Sequence, residues 1–239
     1  MIIAGPCSVT SFESTLEDAK YLKSIGIEYF RGGAFKPRTS PHDFQGLGPK
    51  GIEILKEVKK EIDIKIVTEI VDIRHFNHFE NIDIIQVGSR NCQNFELLKE
   101  LAVFGKPVLL KRGFGMTIDE FINAAEYLKA YSLDEDKIIL CERGIKTFET
   151  ATRNTLDLSA VPILKSRTNY KVIVDPSHGT GHRDLIIPMS RAAIAGTADG
   201  LIIECTKDPD SSLTDAKQII GYNEIKEIKE FYDLYKNIF

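Results

Sequence analysis

The chain alternates between short apolar runs and longer stretches of mixed polarity. The apolar runs are rich in β-branched residues and end at glycine, proline or charged residues, as is typical of strands buried on both faces of a parallel sheet. This pattern predicts eight strands, at residues 2–5, 29–34, 65–70, 84–89, 107–112, 138–144, 171–177 and 201–206.

Between these runs, apolar residues recur at the three- and four-residue spacing of amphipathic helices, and several of the stretches end at glycine. The clearest are "STLEDAKYLKSIG", "GPKGIEILKEVKKEID", "NFELLKELAVFG" and "TIDEFINAAEYLKAYS". The end of the chain, from residue 214 onward, predicts a last helix that is interrupted at Gly221. Eight strand–helix units in 239 residues favour a (β/α)8 barrel, and a doubly wound open sheet is the alternative.

No linker-like or low-complexity segment divides the chain, and the longest polar loops are 35–48 and 144–152. We therefore expect residues 1–239 to form a single catalytic domain. The composition is 43% hydrophobic and 28% charged, as in ordinary globular domains, and it leaves a formal net charge of −4. That mild acidity argues against a nucleic acid partner.

Neither a membrane span nor a secretory signal is recognisable, because the apolar runs are short and the start, "MIIAGPCSV", lacks a basic region followed by a long apolar segment. We expect a cytoplasmic protein with no membrane partner. The four cysteines have no closely spaced pair, which favours reduced thiols over disulfides.

Charged residues concentrate where the predicted strands end. The carboxyl ends of barrel strands meet on one face, so distant residues can line one pocket there. Arginine forks match phosphate and carboxylate oxygens, and lysines act as point charges, so this face is expected to bind more than one anionic group. Seven cations belong to it: Arg31, Lys36, Arg38, Arg90, Lys111, Arg143 and Arg183.

Acidic groups also follow the strands. Glu69, Glu142 and Asp175 are expected to orient cations or water, and an ordinary buried ion pair is the alternative for each.

A metal site is feasible on the same face, because strands one, seven and eight are neighbours in a closed barrel. A donor set that mixes sulfur, nitrogen and oxygen suits Mn, Fe, Co or Zn better than Mg or Ca. Taken singly, a cysteine here is also explained as a small buried residue and a glutamate as the partner of an arginine. The four candidate ligands are Cys7, His178, Glu204 and Asp215.

Longer motifs carry a much more specific resemblance. They are "GPCSV", "RGGAFKPRTSPHDFQGLG", "VGSRNCQNF", "PVLLKRG", "LCERGIKTFE", "TRNTLDLSAVP", "VDPSHGTGHR" and "ADGLIIECTKDPDSSLTDAKQ". Together, from residue 5 to about 218, they resemble the 3-deoxy-D-arabino-heptulosonate 7-phosphate (DAHP) synthases, in particular the compact type I beta group.

This resemblance implies a (β/α)8 barrel that condenses phosphoenolpyruvate with erythrose 4-phosphate with the help of a divalent metal. It implies the same metal ligands, Cys7, His178, Glu204 and Asp215, and a catalytic set of Lys36, Cys7 and His178. Arg38 and Thr39 would hold the tetrose phosphate. It further implies a homotetramer or homodimer without a regulatory domain. The phosphoenolpyruvate site would consist of Arg31, Lys36, Arg90, Lys111 and Arg143.

Lys36 is expected to deliver a proton near the aldehyde oxygen, with its pKa lowered by the surrounding cations. The sister enzyme, 3-deoxy-D-manno-octulosonate 8-phosphate synthase, is the alternative. It takes arabinose 5-phosphate and carries Ala-Asn where this chain has Pro37 and Arg38. A barrel that only binds a phosphorylated metabolite is disfavoured, because all four expected metal ligands are present.

Two departures from the family pattern stand out. Lys146 replaces a usual arginine, and Cys205-Thr206 replaces a usual Val-His pair after the ligand glutamate. The second departure puts a contact next to the metal in doubt.

Overall fold

The computed structural model describes residues 1–38 and 40–235, in which eight parallel strands close into a barrel. Each strand pairs with the next along the chain, and the last pairs with the first, so the predicted barrel is confirmed and the open sheet is excluded. The strands are β1 (Ile2–Gly5), β2 (Tyr29–Arg31), β3 (Lys65–Ile70), β4 (Ile84–Val87), β5 (Val108–Lys111), β6 (Ile138–Glu142), β7 (Lys171–Val174) and β8 (Gly200–Glu204).

The strands bury both of their faces, which is why the sequence shows continuous apolar runs instead of alternation. In β1, for example, Ile3 points into the barrel, and Ile2 and Ala4 pack outward against the helices. The barrel interior is therefore a packed core, as in other (β/α)8 proteins. Its buried residues are Ile3, Val67, Ile84, Leu109, Ile139, Cys141, Ile173 and Ile202.

Helices surround the barrel and cover its outer face. They are α1 (Phe12–Ser24), α2 (Pro49–Ile62), α3 (Phe95–Phe104), α4 (Ile118–Ala130), α5 (Ala160–Arg167), α6 (Pro176–Thr180), α7 (Arg183–Ala195) and α8 (Tyr222–Tyr235). The predicted alternation fails once, because β3 is followed by a 3-10 helix, Ile73–His78, where an α-helix was expected.

Polar caps fix several helix starts. Thr117 and Glu120 form a reciprocal capping box at α4, and the Ser11 side chain accepts from Ser14 N at α1. The Ser11 cap explains why α1 begins at Phe12, before the predicted stretch. Gly221 immediately precedes α8, so the expected interruption of the last segment is confirmed.

Several predicted strands continue beyond the observed ones, and the extra residues form the loops at the carboxyl face. After Arg31 the chain leaves the sheet at two glycines, and a side chain at Gly33 would lie 2.5 Å from the Cys7 carbonyl oxygen. The four cysteines, all in the described ranges, are free thiols, as expected. In the described part of the chain, the helices are too short or too polar to span a membrane.

Candidate active site

A cavity opens at the carboxyl ends of the strands, where the sequence predicts it. Six of the seven predicted cations line it. A seventh lining cation, Arg153, was missed by the sequence analysis because it lies in the loop after β6, well past the strand end. The lining cations are Arg31, Lys36, Arg38, Arg90, Lys111, Arg143 and Arg153.

The prediction for Arg183 is wrong. Arg183 is the first residue of α7, beyond the turn at Gly181, and it lines a neighbouring crevice. Its guanidinium donates to the Asp210 carboxylate at 2.7 Å and to the Ala216 carbonyl at 2.9 Å. The turn of α6 carries the chain away from the strand end, so proximity in sequence to His178 does not bring Arg183 into the cavity.

The cations fall into two sets by depth. Arg31, Lys111 and Arg143 are buried, and burial lowers the pKa of Arg143 from its usual value. Arg90 and Arg153 are exposed at the mouth, and Arg38 is partly buried. The cavity therefore offers positive charge both at its floor and at its rim.

Phe114 joins two of these cations. Its ring lies under the Arg143 guanidinium at 4.8 Å and under the Arg90 guanidinium at 5.5 Å, measured to the ring centroid. Such stacking holds each guanidinium plane through the attraction between the cation and the ring face. Phe114 thus fixes the spacing of one floor cation and one rim cation.

If these cations bind phosphoenolpyruvate, as the resemblance implies, Phe114→Leu should raise its KM about 5- to 30-fold, because each lost cation–π contact is worth about 0.5–1 kcal/mol. The KM for the aldose substrate should change by less than twofold. Steady-state kinetics with each substrate varied in turn measures both values. Phe148→Leu, at a fully exposed phenylalanine of the following loop, is the matched control. An unchanged KM for phosphoenolpyruvate in Phe114→Leu would contradict this role.

Asp175 organises the floor of the cavity. One of its oxygens caps α6 by accepting from His178 N at 2.9 Å, and the other accepts from His178 Nδ1 at 2.8 Å and pairs with Lys111 Nζ. Although burial opposes ionisation, His178 and Lys111 hold the pKa of Asp175 well below its usual range. Asp175 is therefore a fixed carboxylate that orients a cation and the histidine, as predicted.

His178 is oriented by this carboxylate so that Nε2 lies 3.5 Å from Glu204 Oε1. Burial lowers the pKa of His178, which favours a neutral ring. A neutral ring that donates Nδ1–H to Asp175 keeps its lone pair on Nε2. Carboxylate support of this kind is the usual arrangement behind a histidine that binds a metal.

Glu204 ends β8 and is buried beneath the cavity. Its Oε1 accepts from Arg31 Nη1 at 3.0 Å, and its Oε2 accepts from Gln218 Nε2 at 2.7 Å. Burial opposes ionisation, but the neighbouring His178, Arg31 and Lys36 side chains hold the pKa of Glu204 far below its usual value. Glu204 is therefore ionised at neutral pH.

Cys7 completes the group at the end of β1. Its Sγ lies 3.6 Å from Asp215 Oδ2 and 3.0 Å from Lys36 Nζ. Burial, and then the charge of Glu204, raise the pKa of the Cys7 thiol to about 11. Metal binding at Cys7 would therefore release a proton.

The predicted metal ligands thus meet as two contacting pairs, Cys7 with Asp215 and His178 with Glu204. Their chemistry fits a borderline divalent metal: a thiol, a neutral imidazole and two carboxylates. Within residues 1–38 and 40–235, no three such side chains converge as they would around a metal ion. Arginines bind both carboxylates instead, with Arg31 on Glu204 and Arg38 and Arg153 on Asp215.

The expected lowering of the Lys36 pKa is wrong. Burial and the charge of Arg31 lower this pKa, but the Cys7 sulfur and the Glu204 carboxylate outweigh them and the pKa rises. The Lys36 ammonium donates to Cys7 Sγ and, at 3.1 Å, to the Cys7 carbonyl oxygen. The neighbouring cations are visible in the sequence, but these acceptors come close to Lys36 only in the folded chain.

The other two predicted acidic groups differ from each other. Glu69 lines the cavity and accepts from Gln86 Nε2 at 2.9 Å, and burial raises its pKa. Gly88 makes room for it, since a side chain at Gly88 would lie 2.1 Å from Glu69 Oε1. Glu142 instead forms a buried ion pair with Arg112 at 2.8 Å, which is the alternative that the sequence left open.

The departures from the family pattern lie away from the cavity lining. Thr206 donates to Asp18 Oδ2 at 2.8 Å, and Cys205 forms a β-bridge with Ile220. Lys146 is exposed, and its backbone N–H donates to the Phe114 carbonyl at 2.7 Å. Thr39, predicted to bind the tetrose phosphate, lies outside the described residues.

A closed parallel barrel with a cation-lined cavity at its carboxyl face defines a (β/α)8 enzyme for anionic substrates. More specifically, the chain belongs to the DAHP synthetase I family, which residues 1–238 match.

Relatives of known identity support this assignment. A phospho-2-dehydro-3-deoxyheptonate aldolase from Thermotoga maritima is 51% identical over 228 residues, which cover 95% of this chain and 67% of the relative. A crystal structure of the Thermotoga maritima enzyme, also named DAHP synthase, has a TM-score of 0.94 at 50% identity and covers 100% of this chain and 70% of that one. A 2-dehydro-3-deoxyphosphooctonate aldolase from Desulfotalea psychrophila is 31% identical over 247 residues, covering 95% of this chain and 86% of the relative.

Proposed function

We propose that this protein condenses phosphoenolpyruvate with D-erythrose 4-phosphate and water to give DAHP and phosphate, the first step of the shikimate pathway. The observation that carries the proposal is the cavity, which is lined by cations at two depths and by His178, whose Nε2 lies 3.5 Å from Glu204 Oε1. The 51% identity to an enzyme named for this product selects the reaction.

Phosphoenolpyruvate fits between the buried cations of the cavity floor and Arg90 at the mouth. It carries a carboxylate and a phosphate, and buried guanidinium and ammonium groups bind such anions strongly because water competes little there. The tetrose phosphate would lie toward the rim, at Arg38, and Thr39, outside the described residues, is the second residue that the resemblance implies for it. The phosphoenolpyruvate set is Arg31, Lys36, Arg90, Lys111 and Arg143.

The chemistry joins C3 of phosphoenolpyruvate to the aldehyde carbon of the tetrose, and positive charge develops at C2. Water adds at C2, and the resulting hemiketal phosphate releases phosphate by cleavage of the bond between C2 and the bridging oxygen. The cations of the floor bind both the substrate phosphate and the departing one. Holding two anions in register is itself worth about 7–11 kcal/mol in favourable cases.

Lys36 is the proposed proton donor to the aldehyde oxygen. Its raised pKa keeps the ammonium protonated throughout the neutral range, although it also makes Lys36 a weaker acid than a donor whose pKa is near neutrality. The Lys36 ammonium also lies 3.0 Å from Cys7 Sγ, beside one of the proposed metal ligands.

The donor set of Cys7, His178, Glu204 and Asp215 would hold a divalent metal, Mn, Fe, Co or Zn. When bound, such an ion acts as a Lewis acid that polarises the aldehyde oxygen. The residues of this chain prepare the site: Asp175 orients His178, and Gln218 and Arg31 hold Glu204.

The second candidate is the octulosonate reaction with arabinose 5-phosphate, because the 2-dehydro-3-deoxyphosphooctonate aldolase from Desulfotalea psychrophila shares 31% sequence identity with this chain. The pair Pro37-Arg38 favours the tetrose, and Arg38 lines the cavity where the aldose phosphate would bind. We further propose a cytoplasmic homo-oligomer, a dimer or tetramer, whose residues 1–239 act as one catalytic domain on small phosphorylated substrates.

The reaction is tested with phosphoenolpyruvate that carries ¹⁸O in the bridging oxygen. We expect one phosphate per DAHP formed, with the label in the phosphate, and no phosphate release when erythrose 4-phosphate is omitted. Release of unlabelled phosphate would show cleavage at phosphorus, and release without the tetrose would show hydrolysis uncoupled from condensation. Either result would contradict the proposed reaction.

A further inference from the structure

Arg153 is a cation at the rim of the cavity. It is neither one of the seven cations predicted at the strand ends nor one of the site residues that the resemblance implies. It lies across Asp215 from Arg38: Arg38 Nη1 is 3.1 Å from Asp215 Oδ2, and Arg153 Nη1 is 3.3 Å from Asp215 Oδ1. Two guanidinium groups therefore flank one carboxylate at the mouth of the cavity.

The backbone around Arg153 is anchored to the α6 turn, whereas residues 146–151 before it are exposed. Arg153 N donates to the Thr180 carbonyl at 2.8 Å, and Asn154 Nδ2 donates to the His178 carbonyl at 2.9 Å. Gly181 has φ of 72°, and a side chain there would lie 2.5 Å from Arg153 Cβ. The structure thus holds Arg153 against the α6 turn that carries His178.

The Arg153 guanidinium has more donors than it uses. Among the described residues its side-chain hydrogen bonds, to Asp215 Oδ1 and to Gln218 Oε1 at 2.6 Å, both come from Nη1, and an arginine fork carries five donors. Its side chain is 42% exposed, compared with 22% for Arg38. A salt bridge to Asp215 alone would not require a second arginine, because Arg38 already binds that carboxylate.

We propose that Arg153 is the second arginine of the subsite for the aldose phosphate, opposite Arg38. The inference rests on the proposed function, which supplies the phosphorylated aldose. A phosphate dianion accepts hydrogen bonds from two forks better than one carboxylate does, since it carries more charge and more acceptor oxygens. Phosphate binding then exchanges the arginine contacts of Asp215 for contacts to the substrate and leaves this carboxylate available as a metal ligand.

Two substitutions test this role, Arg153→Gln and Arg153→Lys. Arg191→Gln is the matched control, because Arg191 pairs with Glu227 on the outer surface and is 45% exposed. We expect Arg153→Gln to raise the KM for erythrose 4-phosphate at least about tenfold, with the KM for phosphoenolpyruvate within twofold of the parent value. Arg153→Lys keeps the charge but not the fork, so it should recover only part of the loss, and Arg191→Gln should match the parent.

Manganese affinity, measured by equilibrium dialysis without substrates, separates this role from a structural one. Because Arg153 competes for Asp215, its removal should leave the dissociation constant unchanged or lower it. Weaker manganese binding, with both KM values raised alike, would show that Arg153 only positions Asp215 and would overturn the proposal. An unchanged KM for the tetrose would also overturn it.

The same kinetic assays test the proposed function, because they also measure turnover by the parent protein. A parent that turns over erythrose 4-phosphate while Arg153→Gln behaves identically contradicts only the role of Arg153. A parent that consumes no phosphoenolpyruvate with this tetrose contradicts the proposed function and, with it, the aldose-phosphate subsite.

Discussion

Arg90→Ala is expected to lower kcat/KM for phosphoenolpyruvate about 10²-fold, because a hydrogen bond to a charged group contributes up to about 3 kcal/mol and alanine leaves the anion without it. The fold should be retained, since Arg90 is exposed at the cavity mouth and stacks on one face of Phe114. Steady-state kinetics and a thermal melting curve measure the two effects separately.

Arg74→Ala is the control for this experiment, because Arg74 is an exposed arginine that pairs with Asp72 in the 3-10 helix after β3. It should keep the parent kinetics. If Arg90→Ala had the parent kcat and KM, the phosphoenolpyruvate site would have to be placed elsewhere in the cavity.

Cys7→Ser should weaken manganese binding more than about 100-fold, because loss of a direct ligand should exceed the 10- to 100-fold cost of losing a group that supports one. The substitution keeps a small side chain at a fully buried position, so large changes in packing are not expected. The readout is the metal content after dialysis, which is independent of turnover.

Cys92→Ser is the matched control, because Cys92 is also a fully buried thiol but packs in the outer apolar core. It should retain the parent manganese affinity even if it lowers the melting temperature. Equal metal content in Cys7→Ser and the parent protein would remove Cys7 from the proposed ligands.

The sequence predicts the barrel well because strands that are buried on both faces leave a strong local signal. All eight predicted strands occur. The single exception to the strand–helix alternation is the 3-10 helix after β3, in a segment that is not among the clearest amphipathic stretches of the sequence. Strand ends are predicted less well. In the segment after Arg31, close backbone approaches at Gly33 end the strand, and such contacts between distant parts of the chain are not visible in a local pattern.

The cavity is predicted in outline for a related reason: barrel geometry brings the strand ends together whatever the loops do. The two errors in predicting the cavity lining concern residues that lie beyond the strand ends. Arg183 follows a helical turn that carries it outward, and Arg153 returns to the cavity from a long loop because it is bound to the α6 turn. Both placements depend on tertiary contacts.

The direction of the Lys36 pKa shift could not be predicted from the sequence for the same reason. Counting charges along the sequence puts Lys36 among cations, which would lower its pKa. In the structure its ammonium contacts a sulfur, and a buried glutamate lies close enough to contribute, so the pKa rises. The sign of the shift depends on which neighbours are within a few ångströms, and that information is three-dimensional.

The most direct measurement compares product formation from phosphoenolpyruvate with either erythrose 4-phosphate or arabinose 5-phosphate, each with added manganese and with a chelator. We expect turnover of the tetrose alone, abolished by the chelator and restored by manganese. Turnover of arabinose 5-phosphate instead would assign the protein to the octulosonate reaction. Tetrose turnover that survives the chelator would contradict a metal site at Cys7, His178, Glu204 and Asp215.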